Sequence, residues 1–168
     1  MPQIKIREWN EKPRTKLRFI KIGDIFCYQF SEEMFVFGQI LGKVNVGYVI
    51  QFFDIFQASP TITVEELSRA QFIGKPIIID SYTLFDRSPV WSWQIIGHQA
   101  DFDPSPFKDL AFKWGDPNGP QFGKVWLDGR REPKIFSREE VEDLDWEACV
   151  GTIVYNRILE EELDKQMK

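Results

Sequence analysis

Residues 22–53, IGDIFCYQFSEEMFVFGQILGKVNVGYVIQFF, decide the fold of this 168-residue chain. A polar turn and a glycine-bounded turn divide the stretch into three predicted strands, residues 25–30, 34–41 and 48–53. Along the first strand, aromatic residues alternate with smaller or polar ones, so one pleated face is aromatic. Gly38 lies inside the second strand, where a glycine is typical of a bulge, a bend or a close backbone approach. The stretch therefore predicts a strongly bent antiparallel meander, like the start of a small barrel.

Outside this stretch the sequence predicts further strands, short helices and one long loop. Strands are predicted at residues 75–80, 91–97, 123–127 and 151–155. Helices are predicted at residues 63–70, 137–144 and from Asn156 onward; the first two begin with capping boxes, and Leu159, Leu163 and Met167 form an apolar stripe on the third. Residues 101–122 contain four prolines and are predicted to form a long irregular loop. The fold class is α+β, with a strongly curved, mainly antiparallel β-sheet or small partly open barrel and short peripheral helices.

Length and composition favour one aromatic-rich globular domain over residues 1–168. The chain is 43% hydrophobic and 15% aromatic, which excludes an intrinsically disordered protein. Within the domain we expect a basic N-terminal segment at 1–20, a curved-sheet core at 21–130 and an acidic helical C-terminal part at 131–168. No apolar run approaches the roughly 20 residues of a membrane helix, and the charged N-terminus lacks the apolar core of a signal peptide. We therefore expect a cytoplasmic protein without a membrane partner.

Charge is distributed unevenly along the chain. The net charge is −5, yet residues 1–22 carry seven basic against two acidic groups, and residues 132–168 carry eleven acidic against five basic groups. An acidic protein is not expected to bind nucleic acid. The basic start is either a solvated edge strand or, less in keeping with its composition, an arm for nucleic acid. The acidic end either steers a basic protein partner or is a solvated helix face.

Few residues are suited to catalysis or metal binding. His98 is the only histidine and lies beside Asp101 and Asp103, so a hydrolase built on His98 with one of these carboxylates is an alternative to a satisfied surface histidine. Cys27 and Cys149 are interpreted as buried small hydrophobes. These residues cannot form a tetrahedral cysteine or two-histidine zinc site, and no phosphate-cradling glycine motif occurs. The sequence thus predicts no metal and no cofactor.

Aromatic residues divide into two groups by their predicted elements. Those on strands, Phe26, Tyr28, Phe30 and Trp93, are predicted to lie in the core, because each buries a large apolar area. Those in the predicted loop are Phe102, Phe107, Phe112 and Trp114. This second group is either core or a functional surface, since packed functional loops have the same composition.

The chain contains three motifs in order: Ile22-Gly23-Asp24-Ile25-Phe26, Phe35-Val36-Phe37-Gly38-Gln39-Ile40-Leu41 and Trp93-Gln94-Ile95-Ile96-Gly97. In this order they resemble the immunity protein 26 family of bacterial polymorphic toxin systems. The resemblance implies a small cytoplasmic α+β protein that is not an enzyme. It also implies a role in binding and neutralising a toxin domain encoded next to it, in a polymorphic toxin or contact-dependent inhibition system. The resemblance brings no catalytic residues with it.

This implied role gives two hypotheses for a partner-binding surface. In the first, carboxylates face a basic toxin domain, for example a nuclease: Glu139, Glu140, Glu142, Asp143 and Asp145, together with Asp101 and Asp103. In the second, the surface is aromatic and consists of Phe107, Phe112 and Trp114. An SH3-like module that binds a peptide or small ligand is the alternative binding function, and the His98 hydrolase is the alternative enzyme.

Overall fold

The computed structural model describes residues 2–9, 14–88 and 90–168. Within these ranges the chain forms two antiparallel sheets and two α-helices, which confirms the predicted α+β class. The strands are β1 (Ile4–Ile6), β2 (Asp24–Ser31), β3 (Met34–Val44), β4 (Gly47–Gln57), β5 (Phe72–Ile79), β6 (Trp93–Gln99), β7 (Ala111–Gly115), β8 (Phe122–Trp126) and β9 (Arg131–Phe136). The α-helices are α1 (Val64–Arg69) and α2 (Thr152–Gln166), and short helical turns lie at Leu17–Phe19, Tyr82–Asp86, Ser105–Phe107 and Glu139–Val141.

The first sheet has the strand order β1-β6-β2-β3-β4-β5 and the second has the order β7-β8-β9. Among the described residues the two edge strands of the first sheet, β1 and β5, do not pair with each other, so the predicted barrel is not confirmed. β1 is an edge strand, as one interpretation of the basic N-terminal segment predicts. Residues 10–13 of that segment lie outside the described ranges.

The predicted meander is present as β2, β3 and β4, and these strands pack closely at Gly38. The β3–β4 register shifts between Val36 and Gly38, which is a bulge. A Cβ atom at Gly38 would lie 2.4 Å from Cζ of Phe26 and 2.5 Å from the backbone oxygen of Gln51. Gly38 therefore lets an aromatic ring of β2 lie directly on the backbone of β3.

One face of the first sheet carries the aromatic core that the alternation in β2 predicts. Trp93 stacks on Phe26 and Tyr28, with ring centroids 5.1 Å and 4.5 Å apart. Helix α2 covers this face with Tyr155 and Leu159, which are one helical turn apart and buried. The prediction that the strand aromatics form the core is confirmed for these rings.

The opposite face of the first sheet is also buried, under α1 and the second sheet. Cys27 lies on this face and is fully buried, as its position between two inward-facing aromatics predicts. The second sheet contributes Phe112 and Val125, which pack with residues of β3, β4 and β5. The cluster comprises Leu41, Val44, Val49, Ile78, Phe112, Val125 and Leu127.

Two element predictions are wrong. Residues 101–122 are not an irregular loop, because they contain β7 and the helical turn at Ser105–Phe107. Residues 151–155 are not a strand, because all but Gly151 belong to α2. Asn156 therefore lies inside this helix instead of capping it, and Gly151 is the N-cap residue. In both regions long-range packing decides the structure, which local residue preference does not report.

The region after residue 130 also differs from the predicted helical part. It begins with β9, which the sequence analysis misses. Ser137 and Glu140 form the capping-box hydrogen bonds. The Ser137 hydroxyl oxygen accepts from the backbone N–H of Glu140, and the backbone N–H of Ser137 donates to the Glu140 carboxylate. Only the single turn Glu139–Val141 follows, however, instead of a helix to residue 144.

Candidate partner-binding surface

The predicted acidic surface lies on residues 137–150, hereafter the acidic segment, which joins the edges of the two sheets. At the edge of β7, the backbone N–H of Lys113 donates to the oxygen of Asp145, and Glu147 donates to the oxygen of Lys113, both at 2.8 Å. At the edge of β5, the backbone N–H of Val150 donates to a strand carbonyl at 2.8 Å. The segment is thus fixed to the scaffold through its backbone, and its side chains project from a defined path.

Three carboxylates of the acidic segment have partners within the molecule. Glu140 accepts the Ser137 backbone N–H at 2.7 Å, and this hydrogen bond lowers the pKa of Glu140. Asp145 forms an ion pair with Lys75 at 2.6 Å. The Glu147 side chain is 4% exposed and pairs with Arg131 at 2.7 Å. These three groups therefore hold the segment in place as well as carrying charge.

Three other carboxylates, Glu139, Glu142 and Asp143, are exposed and differ from the first three. Within the described part of the chain, their side chains make no hydrogen bond and no ion pair. Glu139 and Glu142 line a cavity of about 310 Å³ together with Trp146. The acidic segment thus presents three carboxylates to solvent on a backbone that is held by both sheets.

The remaining predicted carboxylates lie on the loop after β6, and both accept hydrogen bonds from backbone N–H groups. Asp101 accepts the backbone N–H of Gln3 at 2.9 Å. Asp103 accepts both the hydroxyl and the backbone N–H of Ser105, and these hydrogen bonds lower the pKa of Asp103. Asp103 and Phe107 also line an apolar groove of about 450 Å³. The structure thus brings together one predicted carboxylate and one predicted aromatic residue.

The other two predicted aromatic residues pack mainly within the molecule. Phe112 is 2% exposed and belongs to the core between the sheets, so its side chain offers no surface to a partner. Trp114 is half-buried, and the Arg131 guanidinium lies 4.2 Å from its ring centroid. Its ring lies against Gly123, where an added Cβ would be 2.1 Å away. Of the three aromatic residues in this hypothesis, Phe107 is partly exposed and lines the groove described above.

His98 contacts a carboxylate that the sequence analysis did not select. Its Nδ1 lies 2.8 Å from Oδ1 of Asp24, and neither Asp101 nor Asp103 hydrogen-bonds to it. The other oxygen of Asp24 accepts the backbone N–H of Lys21 at 2.8 Å. Burial raises the pKa of Asp24 even though both hydrogen bonds oppose the shift. The pairing of β2 with β6 places Asp24 opposite His98, and this register was not evident from the sequence.

Cys149 is also placed differently from its prediction. It is exposed, not buried, and its thiol donates to the backbone oxygen of Val46 at 3.2 Å. Within the described ranges, no group of three or more histidine, cysteine or acidic side chains is arranged to hold a metal ion. The helices in those ranges are also too short or too polar to cross a membrane.

Comparison with known proteins gives one match. The family model described as Immunity protein 26 matches residues 21–124, which extend from the turn before β2 into β8. No curated protein and no solved structure matches the chain. The matched residues are more than half of the chain and include all three motifs on which the resemblance depends. The chain therefore belongs to the immunity protein 26 family.

Proposed function

We propose that this protein binds the toxin domain encoded beside it and neutralises that domain by stoichiometric binding in the bacterial cytoplasm. Family membership supports this role, and immunity proteins are generally non-catalytic. The toxin would belong to a polymorphic toxin or contact-dependent inhibition system. A binding protein of this kind needs a complementary surface and no catalytic group.

The observation that carries the proposal is the anchored set of free carboxylates, Glu139, Glu142 and Asp143. Because backbone hydrogen bonds hold their segment to both sheets, binding a partner orders little further chain. Clustered carboxylates attract a basic surface and speed its association. A nuclease toxin fits this surface, since its substrate cleft must be basic to hold phosphates. Asp101 and Asp103 form a second acidic site in this proposal, separate from the acidic segment, because Asp101 lies beside β1, at the opposite edge of the first sheet.

Co-expression with the product of the neighbouring gene tests the role directly. The expected result is a one-to-one complex and loss of toxicity, and failure to bind or protect would contradict the proposal. The neutralisation assay is repeated with His98→Ala, which should still protect. Loss of protection by a folded His98 variant would instead favour the hydrolase. Titration with proline-rich peptides should give no binding, whereas saturable binding would favour the SH3-like module.

Association kinetics test which surface is used. Reversing three charges with Glu139→Lys, Glu142→Lys and Asp143→Lys should slow association at low salt by about 10-fold or more. The matched control reverses three exposed carboxylates of α2: Glu160, Glu161 and Asp164. Equal slowing by both variants would indicate a general effect of net charge and would reject the acidic segment as the binding surface.

A further inference from the structure

An apolar patch of partly exposed side chains lies beside the acidic segment. Trp146 is 36% exposed, Val154 44% and Val46 46%. Trp146, Val154 and Cys149 line one cavity of about 230 Å³, and the Cys149 thiol hydrogen-bonds to the backbone of Val46. The apolar patch is therefore formed by Val46, Trp146, Cys149 and Val154. It contrasts with the polar surface expected around the first turn of a solvated helix.

Trp146 lines both this cavity and the acidic cavity, which contains free carboxylates. Val154 and the Lys75–Asp145 ion pair line the first cavity with it, and Glu139 and Glu142 line the second. Lys113 lines the acidic cavity, but its ammonium group donates to the backbone oxygens of Val141 and Glu142 at 3.1 Å and 3.4 Å. Arg138 also lines the acidic cavity, and its guanidinium donates to the backbone oxygens of Pro117 and Gly119. Two cations that bind backbone oxygens therefore lie beside Glu139 and Glu142 in this cavity.

The Trp146 side chain is already held in position without a partner. Its ring makes an edge contact with Phe122, with centroids 5.8 Å apart, and the Lys113 ammonium lies 5.3 Å from its centroid. Its backbone pairs with β7 at Lys113. A fixed, partly exposed tryptophan loses little conformational entropy on binding, which is why such residues dominate binding energy at many interfaces.

We propose that the apolar patch is the anchor site for the toxin domain, which inserts one apolar side chain between Trp146 and Val154. Basic side chains of the same partner face the acidic segment beside the patch, because residues 137–150 carry six acidic groups and one basic group. The inference rests on the proposed function and specifies the chemistry of the partner: an apolar side chain on a basic surface. Three of the four patch residues, Trp146, Cys149 and Val154, lie outside residues 21–124, the part matched by the family model, whereas Val46 lies within it.

The two parts of the surface contribute to different rate constants. Exposed carboxylates act at a distance and raise the association rate. An apolar side chain in a cavity is desolvated only in the docked complex, so it slows dissociation. The patch is therefore expected to set the lifetime of the complex.

Val154→Asp tests the patch against the matched control Ile135→Asp. Ile135 is 62% exposed and lies on β9, at the edge of the second sheet opposite β7. The control substitution introduces the same negative charge as Val154→Asp. Asp at residue 154 lies in the first turn of α2, where a negative charge is favourable, so the variant should fold. The added charge cannot weaken attraction to a basic partner. A faster dissociation therefore shows that residue 154 is desolvated in the complex, because the lost apolar contact and the burial of the new carboxylate both act only there.

Dissociation of the full-length chain from the neighbouring gene's toxin domain, inactivated by mutation, is measured by surface plasmon resonance. We expect Val154→Asp and Trp146→Ala each to accelerate dissociation at least about 10-fold, with association changed less than about 3-fold. Ile135→Asp should dissociate like the wild type. If the wild type binds and Val154→Asp dissociates no faster than Ile135→Asp, the anchor site is wrong while the proposed function stands.

Two further outcomes are distinguishable. No complex with the wild type would overturn the proposed function and the anchor site with it. A free chain that sediments as a dimer and becomes a monomer with Val154→Asp would show that a second copy covers the patch, and this would also overturn the inference.

Discussion

Replacing Gly38 by alanine tests whether the close contact between β2 and β3 is essential to the fold. The new methyl group would lie 2.4 Å from Cζ of Phe26 and 2.5 Å from the backbone oxygen of Gln51, whereas ordinary contacts to a Cβ are 3.4–4 Å. The substitution introduces no strain in backbone dihedral angles, because Gly38 does not have a positive φ. Any loss of stability must therefore come from lack of space.

The structure offers little room to relieve this overlap. Phe26 is fully buried, with its ring 5.1 Å from that of Trp93 and 5.5 Å from that of Phe52. Moving the ring away from Gly38 disturbs those contacts, and moving Gln51 separates β3 from β4. Overpacking of this kind costs about 1–3 kcal/mol. Because a ring and a backbone carbonyl both obstruct the methyl group, we expect about 2–3 kcal/mol, or a Tm lower by about 4–12 °C.

Urea unfolding of Gly38→Ala and of a control, Gly151→Ser, measures this cost. A Cβ at Gly151 would have no atom within 4 Å, and serine is a good N-cap for α2, so the control should keep its stability or gain a few tenths of a kcal/mol. Phe26→Leu shortens the obstructing ring, so its effect and that of Gly38→Ala should be non-additive by about 0.5 kcal/mol or more. A Gly38→Ala variant within 0.5 kcal/mol of wild type would refute the packing argument.

Three further predictions concern ionisable and thiol groups. Asp24→Asn removes a carboxylate whose pKa is raised by burial. Because the folded state holds the Asp24 proton more tightly than the unfolded state, the wild type should lose stability relative to the variant as pH rises from about 4 toward 7. A stability difference that does not change with pH in urea titrations would contradict this. Arg131→Met leaves the nearly buried Glu147 carboxylate without its partner and should lower the free energy of unfolding by about 2–3 kcal/mol in the same assay. The double variant with Glu147→Leu should recover most of this stability, and no recovery would count against a stabilising role of the ion pair. Burial raises the pKa of both thiols, but Cys149 is exposed and Cys27 is buried, so a thiol reagent should modify one cysteine in the native chain and the second only after denaturation, as mass spectrometry would show.

The meander could be predicted because its determinants are local. Alternation along 25–30 specifies which side chains share a face, and the turns at 31–33 and 42–47 specify that consecutive strands pair antiparallel. The capping box at Thr63 is equally local, and its reciprocal hydrogen bonds with Glu66 are present. In these regions sequence neighbours supply the contacts that form the element.

The second sheet could not be predicted in the same way. β7 has only five residues and lies among prolines, and β9 contains Pro133. The second sheet is stabilised by Phe112 and Val125, which pack on residues of the first sheet that are distant in sequence. Short strands with such long-range contacts carry little periodic signal of their own.

The start of α2 could not be predicted from local sequence preference either. Ile153 and Val154 are β-branched and favour a strand by propensity, and both are exposed in the helix. Tyr155 and Leu159 instead share one helical face and fill the core of the first sheet. Burial of these two side chains outweighs a preference of a few tenths of a kcal/mol per residue. The exposed pair is therefore a surface feature that packing within the chain does not explain.

The acidic segment was predicted as one set of carboxylates, and the structure divides it by their partners. Ser137 is close to Glu140 in sequence, so that hydrogen bond could be anticipated from the capping pattern. Lys75 is 70 residues from Asp145, so that ion pair depends on how the two sheets meet. Three carboxylates of the segment are left without a partner among the described residues. At physiological salt, exposed charges are screened beyond about 8 Å. Exposed carboxylates can speed the association of a partner but contribute little to the stability of the complex. If the acidic segment is the binding surface, a long-lived complex therefore needs apolar contact beside it, and Trp146 and Val154 are the side chains placed to provide it.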